Sequence, residues 1–400
     1  MEQSDISIIG CGVAGTFAAF KIAERHKNVK CNVFEIGRKW MKRRRQLEGF
    51  LGCFPTGNGK IIPANAKKLS FIDGRKIRLA QIGINSIFNA ISNTPLTQDN
   101  KINSDLETFF HDNNFTIDYN DYYQWKPENV HKLSRYFASV FEQTDNLKFH
   151  FDSIVDDIDQ QDGGFKITTR TGEYSTKKII LAVGRSGWRW ASELFAKLGL
   201  KVVQDTAEYG LRIELPTCYL KKFNYSECNI YNDNFSIGPM EWNGTIIPED
   251  HSDLVISAFR SNEERWKSEH VSFPALVKIK EKDAYQISER IGKLTFLLFN
   301  DRVGRERLST FMKKNSILSL LPEFNILYQH INMLNSAIPD LIKCASIHAP
   351  TINPIPAGIK IHKNLESDIP NLFLAGECAR IPGIYGAALS GTLAANFACK

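Results

Sequence analysis

The feature that most constrains this chain is a strand–turn–helix–strand pattern near its start. An apolar, β-rich run at residues 6–9 leads into the turn GCGVAG at residues 10–15. A helical pattern over residues 16–26 follows, and a second apolar strand over residues 31–34 ends at Glu35. Strand, helix and strand in so short a stretch predict a right-handed βαβ unit and therefore a parallel sheet.

The glycine turn has the spacing that a dinucleotide pyrophosphate requires. Gly10 permits the sharp turn, Gly12 lets the backbone approach a phosphate, and Gly15 lets the helix pack against the sheet. The start of the helix offers N–H groups and a partial positive charge to the phosphates. Glu35 ends the next strand, where a carboxylate can accept hydrogen bonds from ribose hydroxyls. The structural alternative is a tight turn that holds no ligand.

Two later patterns favour FAD over a nicotinamide nucleotide. Residues 177–184 form an apolar strand that ends in Ala182-Val183-Gly184, and residues 371–377 end in Gly376-Glu377. The second pattern resembles the flavoprotein motif whose acid binds the ribityl chain, with Glu in place of the more frequent Asp. No second GxGxxG follows a strand, and no pair of closely spaced redox cysteines is present. The sequence therefore predicts FAD as the cofactor.

Small residues dominate the last helical pattern, at residues 387–398. Glycines at 383, 386 and 391 allow a backbone to pass close to a flat ligand. The first N–H groups of this helix would stabilise the negative charge of a reduced flavin. The alternative is a helix whose small residues serve packing alone.

Composition excludes several classes of protein. The chain of 400 residues is 43% hydrophobic and 24% charged, which is ordinary for a globular protein and unlike a disordered or collagen-like chain. It has no apolar run of the roughly 18–20 residues that span a bilayer, and no signal peptide pattern. Its eight cysteines show neither CxxC spacing nor a zinc pattern. We expect a cytoplasmic protein with reduced thiols, no metal site and no membrane segment.

The chain resembles a family of uncharacterised FAD-dependent dehydrogenases related to the glutathione-reductase-type flavoproteins. Four blocks underlie the resemblance, at residues 10–35, 184–216, 272–277 and 371–395. The second block contains Gly210-x-Arg212-x-Glu214-x-Pro216, which matches the family's entry into its substrate domain. Two departures concern a Ser-Asp-Gly-Lys element, here Thr56-Gly57-Asn58-Gly59-Lys60, and a missing Cys-x-Cys-Pro-x-Gly element near residues 236–240.

The resemblance implies an α/β fold. A Rossmann-like FAD-binding domain, with a parallel sheet and a β-meander, would be interrupted by an inserted α+β substrate domain. We expect residues 1–202 and 340–400 to form the discontinuous FAD-binding domain and residues 203–339 the substrate domain. Within these, residues 60–129 show weak periodicity and predict a surface excursion, residues 273–280 a helical start, and residues 305–330 a mostly helical segment.

The expected function is an FAD-dependent oxidoreductase that transfers hydride from a small organic substrate to the flavin, or in reverse. No motif specifies the substrate or the electron acceptor or donor. The candidate catalytic residues are Arg185, Trp188, Arg212 and Tyr385. The alternatives are a solvated Arg185, core aromatic residues, and a surface pair of Arg212 with Glu214. The candidate cofactor-binding residues are Gly10, Gly12, Ala14, Gly15, Glu35, Ile36, Arg43, Gly57, Gly59, Ala182, Gly184, Gly376, Glu377, Gly383, Gly386 and Ala387.

One run of cations at residues 38–45 accounts for at least part of the net charge of +6. This run is interpreted as a solvated loop, as a source of cations such as Arg43 for the FAD pyrophosphate, or as a nucleic-acid contact with Trp40 available for stacking. The third interpretation keeps a flavin-dependent enzyme that modifies a nucleotide or nucleic acid as an alternative. A non-catalytic flavin-binding protein is the other alternative.

Overall fold

The computed structural model divides the chain into two compact units. It describes residues 2–40, 42, 48–202, 206–251, 254–281, 283–355 and 358–400. The first unit comprises Met1–Pro95, Tyr123–Gln204 and Pro356–Lys400, and the second comprises Leu96–Tyr122 and Asp205–Ile355. None of the described helices is long and apolar enough to cross a bilayer.

The strands and helices are numbered in chain order. The strands are β1 (Glu2–Ile9), β2 (Cys31–Phe34), β3 (Lys60–Ile61), β4 (Thr116–Asp118), β5 (Tyr123–Gln124), β6 (Leu147–His150), β7 (Val155–Gln161), β8 (Gly164–Thr169), β9 (Gly172–Leu181), β10 (Thr206–Pro216), β11 (Asn229–Tyr231), β12 (Phe235–Ile237), β13 (Glu241–Trp242), β14 (Thr245–His251), β15 (Leu254–Arg260), β16 (His270–Ile279), β17 (Gly304–Arg307), β18 (Ser346–Ile355) and β19 (Leu372–Leu374). The helices are α1 (Val13–Arg25), α2 (Gly74–Ile91), α3 (Ser104–Asp112), α4 (Pro127–Glu142), α5 (Trp188–Lys197), α6 (Ala284–Leu298), α7 (Leu308–Met312), α8 (Asn325–Ala337), α9 (Leu341–Cys344) and α10 (Ile384–Ala398). Short 3₁₀ turns lie at Pro63–Leu69, Arg185–Gly187, Thr217–Phe223, Glu264–Trp266, Ile317–Leu320, Pro322–Phe324 and Gly376–Ala379.

The first unit is built on a largely parallel sheet. Its strand order is β6-β2-β1-β9-β8-β7, and β19 also pairs with β9. Strands β6, β2, β1, β9 and β19 run parallel, whereas β7, β8 and β9 form an antiparallel meander. The predicted α/β fold with a parallel sheet and a β-meander is confirmed.

Helices α1 and α10 approach each other closely in this unit because small residues lie at their contact. A Cβ atom placed on Gly391, in α10, would lie 2.0 Å from the carbonyl oxygen of Ala14, in α1. This distance is far below van der Waals contact, so a side chain at position 391 forces the two helices apart.

Replacing Gly391 should therefore destabilise the first unit. We expect Gly391→Ala to lower the free energy of unfolding by about 1–3 kcal/mol, the usual cost of overpacking a rigid contact. Urea unfolding measures the effect. Gly83→Ala on α2 is the matched control, because a Cβ there meets nothing within 4 Å. Equal unfolding midpoints for Gly391→Ala and the unmodified chain would contradict the close contact.

The second unit is built on an antiparallel sheet with strand order β17-β18-β10-β16-β12-β11-β4, to which β13 adds at β16. Along β10, alternate residues face opposite sides of this sheet. Ala207, Tyr209, Leu211, Ile213 and Leu215 belong to the apolar core of the unit. The opposite face carries polar side chains, and helices such as α6 and α8 add residues to the apolar core.

The boundaries of the second unit differ from the predicted range of 203–339 in two places. Residues 96–122 belong to it because β4 pairs with β11, and residues 340–355 belong to it because β18 pairs along β10. Both pairings join segments that are far apart in sequence. The assignment of substrate binding to this unit stays a prediction.

Three predicted segments also have a different secondary structure. Residues 273–280 fall almost entirely in strand β16, which pairs with β10 over its whole length. Residues 304–307 are strand β17 rather than helix. The excursion at residues 60–129 contains the long helix α2. Asp73 caps its N-terminus, where the carboxylate accepts hydrogen bonds from Arg75 N and Lys76 N, and the helix buries Ala80, Ile84 and Phe88 at a spacing of four.

Candidate functional site

The glycine turn after β1 has the geometry that its spacing predicts. Gly10 adopts a φ of +91°, and a Cβ there would lie 2.9 Å from the carbonyl oxygen of Ala182. Gly12 precedes α1, and the nearest atom to a Cβ there is Cα of Gly52 at 3.9 Å. The sheet therefore demands glycine at position 10, whereas position 12 leaves free space in front of the helix N-terminus.

A cavity of about 320 Å³ opens at this turn, within the size range of ligand sites. It lies where the parallel strands β1, β2, β9 and β19 end, and ligands of open α/β sheets bind beyond the carboxyl ends of strands. The predicted residues that line it are Gly10, Gly12, Ala14, Glu35, Ile36, Ala182, Gly184, Arg185, Gly376, Glu377, Gly383 and Ala387.

Glu35 is only 4% exposed, and its carboxylate accepts hydrogen bonds from three backbone N–H groups. Its Oε2 accepts a hydrogen bond of 2.7 Å from Cys11 N, and its Oε1 accepts bonds of 2.7 Å from Gly37 N and 2.9 Å from Gly49 N. The acid thus ties the glycine turn to the segment that follows β2. Burial and the Glu35 charge raise the pKa of the Cys11 thiol, which keeps that thiol protonated.

Arg185 and Glu377 face each other in the cavity wall. Arg185 follows β9 and Glu377 follows β19, and Nε of the arginine lies 3.1 Å from Oε1 of the glutamate. Both side chains are partly exposed to solvent, so this pair contributes little to stability. It places one cation and one anion in the wall of the cavity.

Sequence reasoning missed several residues of this cavity, above all Ser153. Ser153 is buried and lines the cavity, and its hydroxyl has no hydrogen-bond partner among the described residues. Its backbone N–H donates to the carbonyl oxygen of Glu35, which fixes it beside the end of β2. No motif in the sequence marks a single serine of this kind. Leu51 and Gly52 also line the cavity and were not predicted.

Other predicted residues do not line the cavity. Gly15, Gly57, Gly59 and Gly386 are absent from its wall, and Gly15 instead packs against Gly10. Arg43 lies outside the described residues.

Three of the four candidate catalytic residues lie elsewhere. Tyr385 is in the core, where its hydroxyl lies 2.9 Å from Oδ1 of Asn85, and burial raises its pKa to about 12. Trp188 begins α5 and is buried away from the cavity wall. Arg212 is on β10 in the second unit.

Trp40, the aromatic residue of the basic run, lies in an aromatic cluster. Its ring centroid is 4.9 Å from that of Phe50, 5.3 Å from that of Phe149 and 5.0 Å from that of Phe151. Its indole N–H donates to Glu142 at 2.9 Å. A ring held in this way does not offer the platform on which a nucleic-acid base stacks.

Comparison with known proteins gives distant similarities. No protein-family model matches the chain, and no curated protein sequence matches it. Glycine oxidase from Geobacillus kaustophilus is 14% identical, with 100% of this chain and 95% of that chain covered at a TM-score of 0.46. L-α-glycerophosphate oxidase from Mycoplasma pneumoniae with FAD bound is 12% identical, with 99% and 95% covered at 0.46. A flavoprotein/dehydrogenase from Cytophaga hutchinsonii is 12% identical, with 100% and 78% covered at 0.44. The expected relationship to glutathione-reductase-type flavoproteins stays a prediction.

Proposed function

We propose that the first unit binds FAD in the cavity beside the glycine turn, and that the protein is an FAD-dependent oxidoreductase acting on a small organic molecule. The observation that supports this best is the combination of an open Gly12 position, the N-terminus of α1 and an unpartnered buried Ser153 hydroxyl around one cavity. An unsatisfied buried hydroxyl costs about 1–3 kcal/mol, so a polar ligand there is favoured.

The residues of the cavity fit the parts of this cofactor. The turn from Gly10 to Gly12 and the first N–H groups of α1 would bind the pyrophosphate. Ser153 and the Glu35 carboxylate, at the end of β2, would bind the adenosine ribose. Glu377, at the end of β19, would accept hydrogen bonds from the ribityl hydroxyls.

Bound FAD would supply hydride and electron transfer, which protein side chains do not provide. The chain supplies position and charge. The N-terminus of α10, preceded by Gly383 with a φ of +78°, presents partial positive charge to the cavity. Arg185 adds a full positive charge held by Glu377, and Ile9, Leu51, Val183 and Ile384 in the wall exclude water.

The state of the cysteines fits a protein in a reducing compartment. None of the eight cysteines, all of which lie among the described residues, forms a disulfide, and burial raises the pKa of the thiols of Cys31 and Cys378. We therefore assign the protein to the cytoplasm as part of the same proposal.

An anaerobic screen tests the activity. The protein reconstituted with FAD is mixed with amines, amino acids, hydroxy acids and reduced nicotinamide nucleotides, and the loss of oxidised flavin absorbance is followed. We expect one class to reduce the flavin, and an Arg185→Met variant to slow that reduction while a surface Arg170→Met variant does not. Flavin that stays oxidised with every class would favour a non-catalytic flavin-binding protein. Reduction only in the presence of RNA or nucleotides would favour a nucleotide-modifying enzyme.

A further inference from the structure

The polar face of the second unit's sheet is unusual because it is charged and largely buried. Glu208, Arg212 and Glu214 lie on one face of β10, in the middle of the sheet. Glu208 and Arg212 are each 8% exposed, and the Glu214 side chain is 12% exposed. A sheet face that carries no function commonly packs apolar side chains or meets solvent. Buried charges in a rigid strand therefore call for a reason.

Each acid on this face has fixed partners. Glu208 accepts hydrogen bonds from Ser236 at 3.0 Å and from Asn353 at 2.8 Å. Glu214 Oε2 accepts from Arg305 at 3.2 Å and lies 3.1 Å from His348 Nε2.

The partners of Glu214 keep it ionised. Burial acts to raise its pKa, but the hydrogen bond and charge of His348 and the charges of Arg305 and His270 outweigh burial. The pKa of Glu214 consequently lies below its usual value. The negative charge of Glu214 is thus balanced by its own neighbours and does not occupy Arg212.

Arg212 differs from these acids because the Nε side of its guanidinium has no partner among the described residues. Its Nη1 donates to Glu241 Oε2 at 2.7 Å and to Ser272 Oγ at 3.1 Å. The residue is only 8% exposed, and its buried Nε has no hydrogen-bond partner among the described residues. Buried donors in folded proteins are almost always paired, so an unpaired guanidinium N–H marks a place for an acceptor.

The free edge has a definite shape. The Nε–H and one Nη2–H of a guanidinium point the same way in one plane, and this fork matches the two oxygens of a carboxylate. Glu241 and Ser272 hold the guanidinium from the other side, so little side-chain entropy is lost when an acceptor binds. A neutral carbonyl oxygen would satisfy one of the two donors, whereas a carboxylate satisfies both.

We propose that the Nε edge of Arg212 binds the carboxylate of an organic acid, which makes a carboxylate-bearing molecule the substrate class of the enzyme. That the bound acid is a substrate rests on the proposed FAD-dependent function. Binding of the carboxylate itself depends only on residues of the second unit. Arg212 is thus a substrate-positioning residue, with Glu241 and Ser272 as its supports.

Calorimetric titration tests the site directly. The probes are acetate, lactate, benzoate and succinate, each with its neutral amide, titrated into the full chain with and without added FAD. We expect at least one acid to bind and its amide to bind more weakly. Arg212→Met should weaken binding of that acid about 10- to 100-fold, the loss of one or two charge-assisted hydrogen bonds. Arg212→Lys keeps the charge but loses the fork of two N–H groups, so its affinity for the acid should lie between those of the unmodified chain and of Arg212→Met.

The controls separate binding from folding. Arg265→Met, an exposed arginine of the same unit, should bind the acid as the unmodified chain does. If Arg212→Met melts at a lower temperature because Glu241 is left buried and unpaired, Arg212→Met with Glu241→Gln removes both charges and should still fail to bind the acid.

Two results would overturn the inference: no acid binds, or an acid binds equally well after Arg212 is replaced. Failure of the proposed function looks different, since the chain would then take up no FAD. The FAD-free titration would still report on Arg212 in that case.

Discussion

Gly12→Asp should give a folded protein that does not retain FAD. A Cβ at Gly12 meets only Cα of Gly52 at 3.9 Å, so the fold accepts a side chain there. Gly12 also occupies the N-cap of α1, where Asp is a favoured residue. A phosphate placed at the same N-terminus would meet both a steric obstacle and a like charge. We expect FAD affinity to fall at least about 100-fold, or about 2.7 kcal/mol.

Two measurements check this expectation on the same sample. FAD fluorescence quenching reports the affinity, and urea unfolding of the FAD-free protein should show stability within about 1 kcal/mol of the unmodified chain. Gly83→Ala again serves as the control, because it changes an exposed glycine of α2 that is far from the turn in sequence. Undiminished FAD binding by Gly12→Asp would rule out the glycine turn as the phosphate site.

Glu35→Gln should lower the stability of the protein even when no FAD is present. The two carboxylate oxygens accept three backbone N–H bonds, from Cys11, Gly37 and Gly49. A glutamine supplies one oxygen and one NH₂ group, so this NH₂ group must face at least one of the three backbone N–H groups, and that hydrogen bond is lost. We expect the free energy of unfolding to fall by about 2–3 kcal/mol, because hydrogen bonds to a charged group are lost in a buried place.

The comparison is made by urea unfolding of FAD-free protein. Glu173→Gln is the matched control, since Glu173 is exposed and pairs with Lys166 at the surface, where such pairs contribute less than about 1 kcal/mol. If Glu35 served only the ribose of a ligand, the FAD-free proteins would unfold alike. That outcome would contradict the scaffold role that its hydrogen bonds indicate.

Local patterns predicted the parts of the fold that depend on neighbours in sequence. The strand, turn and helix from Ile6 to Arg25 follow from hydrophobic pattern and glycine spacing, and the structure places them as predicted. The gathering of Gly10, Gly184 and Gly376 at one edge also follows, because parallel strands end on the same side.

Those local patterns did not predict which strands, far apart in sequence, pair with each other. An apolar run such as residues 273–280 suits a buried helix or a buried strand equally, and only its partner β10 decides between them. Ser153 is likewise an ordinary serine until the fold buries it beside Glu35. The alternation along β10 marked Arg212 as a candidate, but nothing in the sequence indicated that Glu241 and Ser272 would occupy just one edge of its guanidinium.

The content of bound flavin tests the central claim most directly. The full chain is purified, incubated with excess FAD and passed through a desalting column, and the absorbance spectrum and flavin-to-protein ratio are recorded beside those of Gly12→Asp. The account predicts a yellow protein with close to one FAD per chain and a colourless Gly12→Asp variant. A folded, unmodified chain that emerges colourless would contradict it.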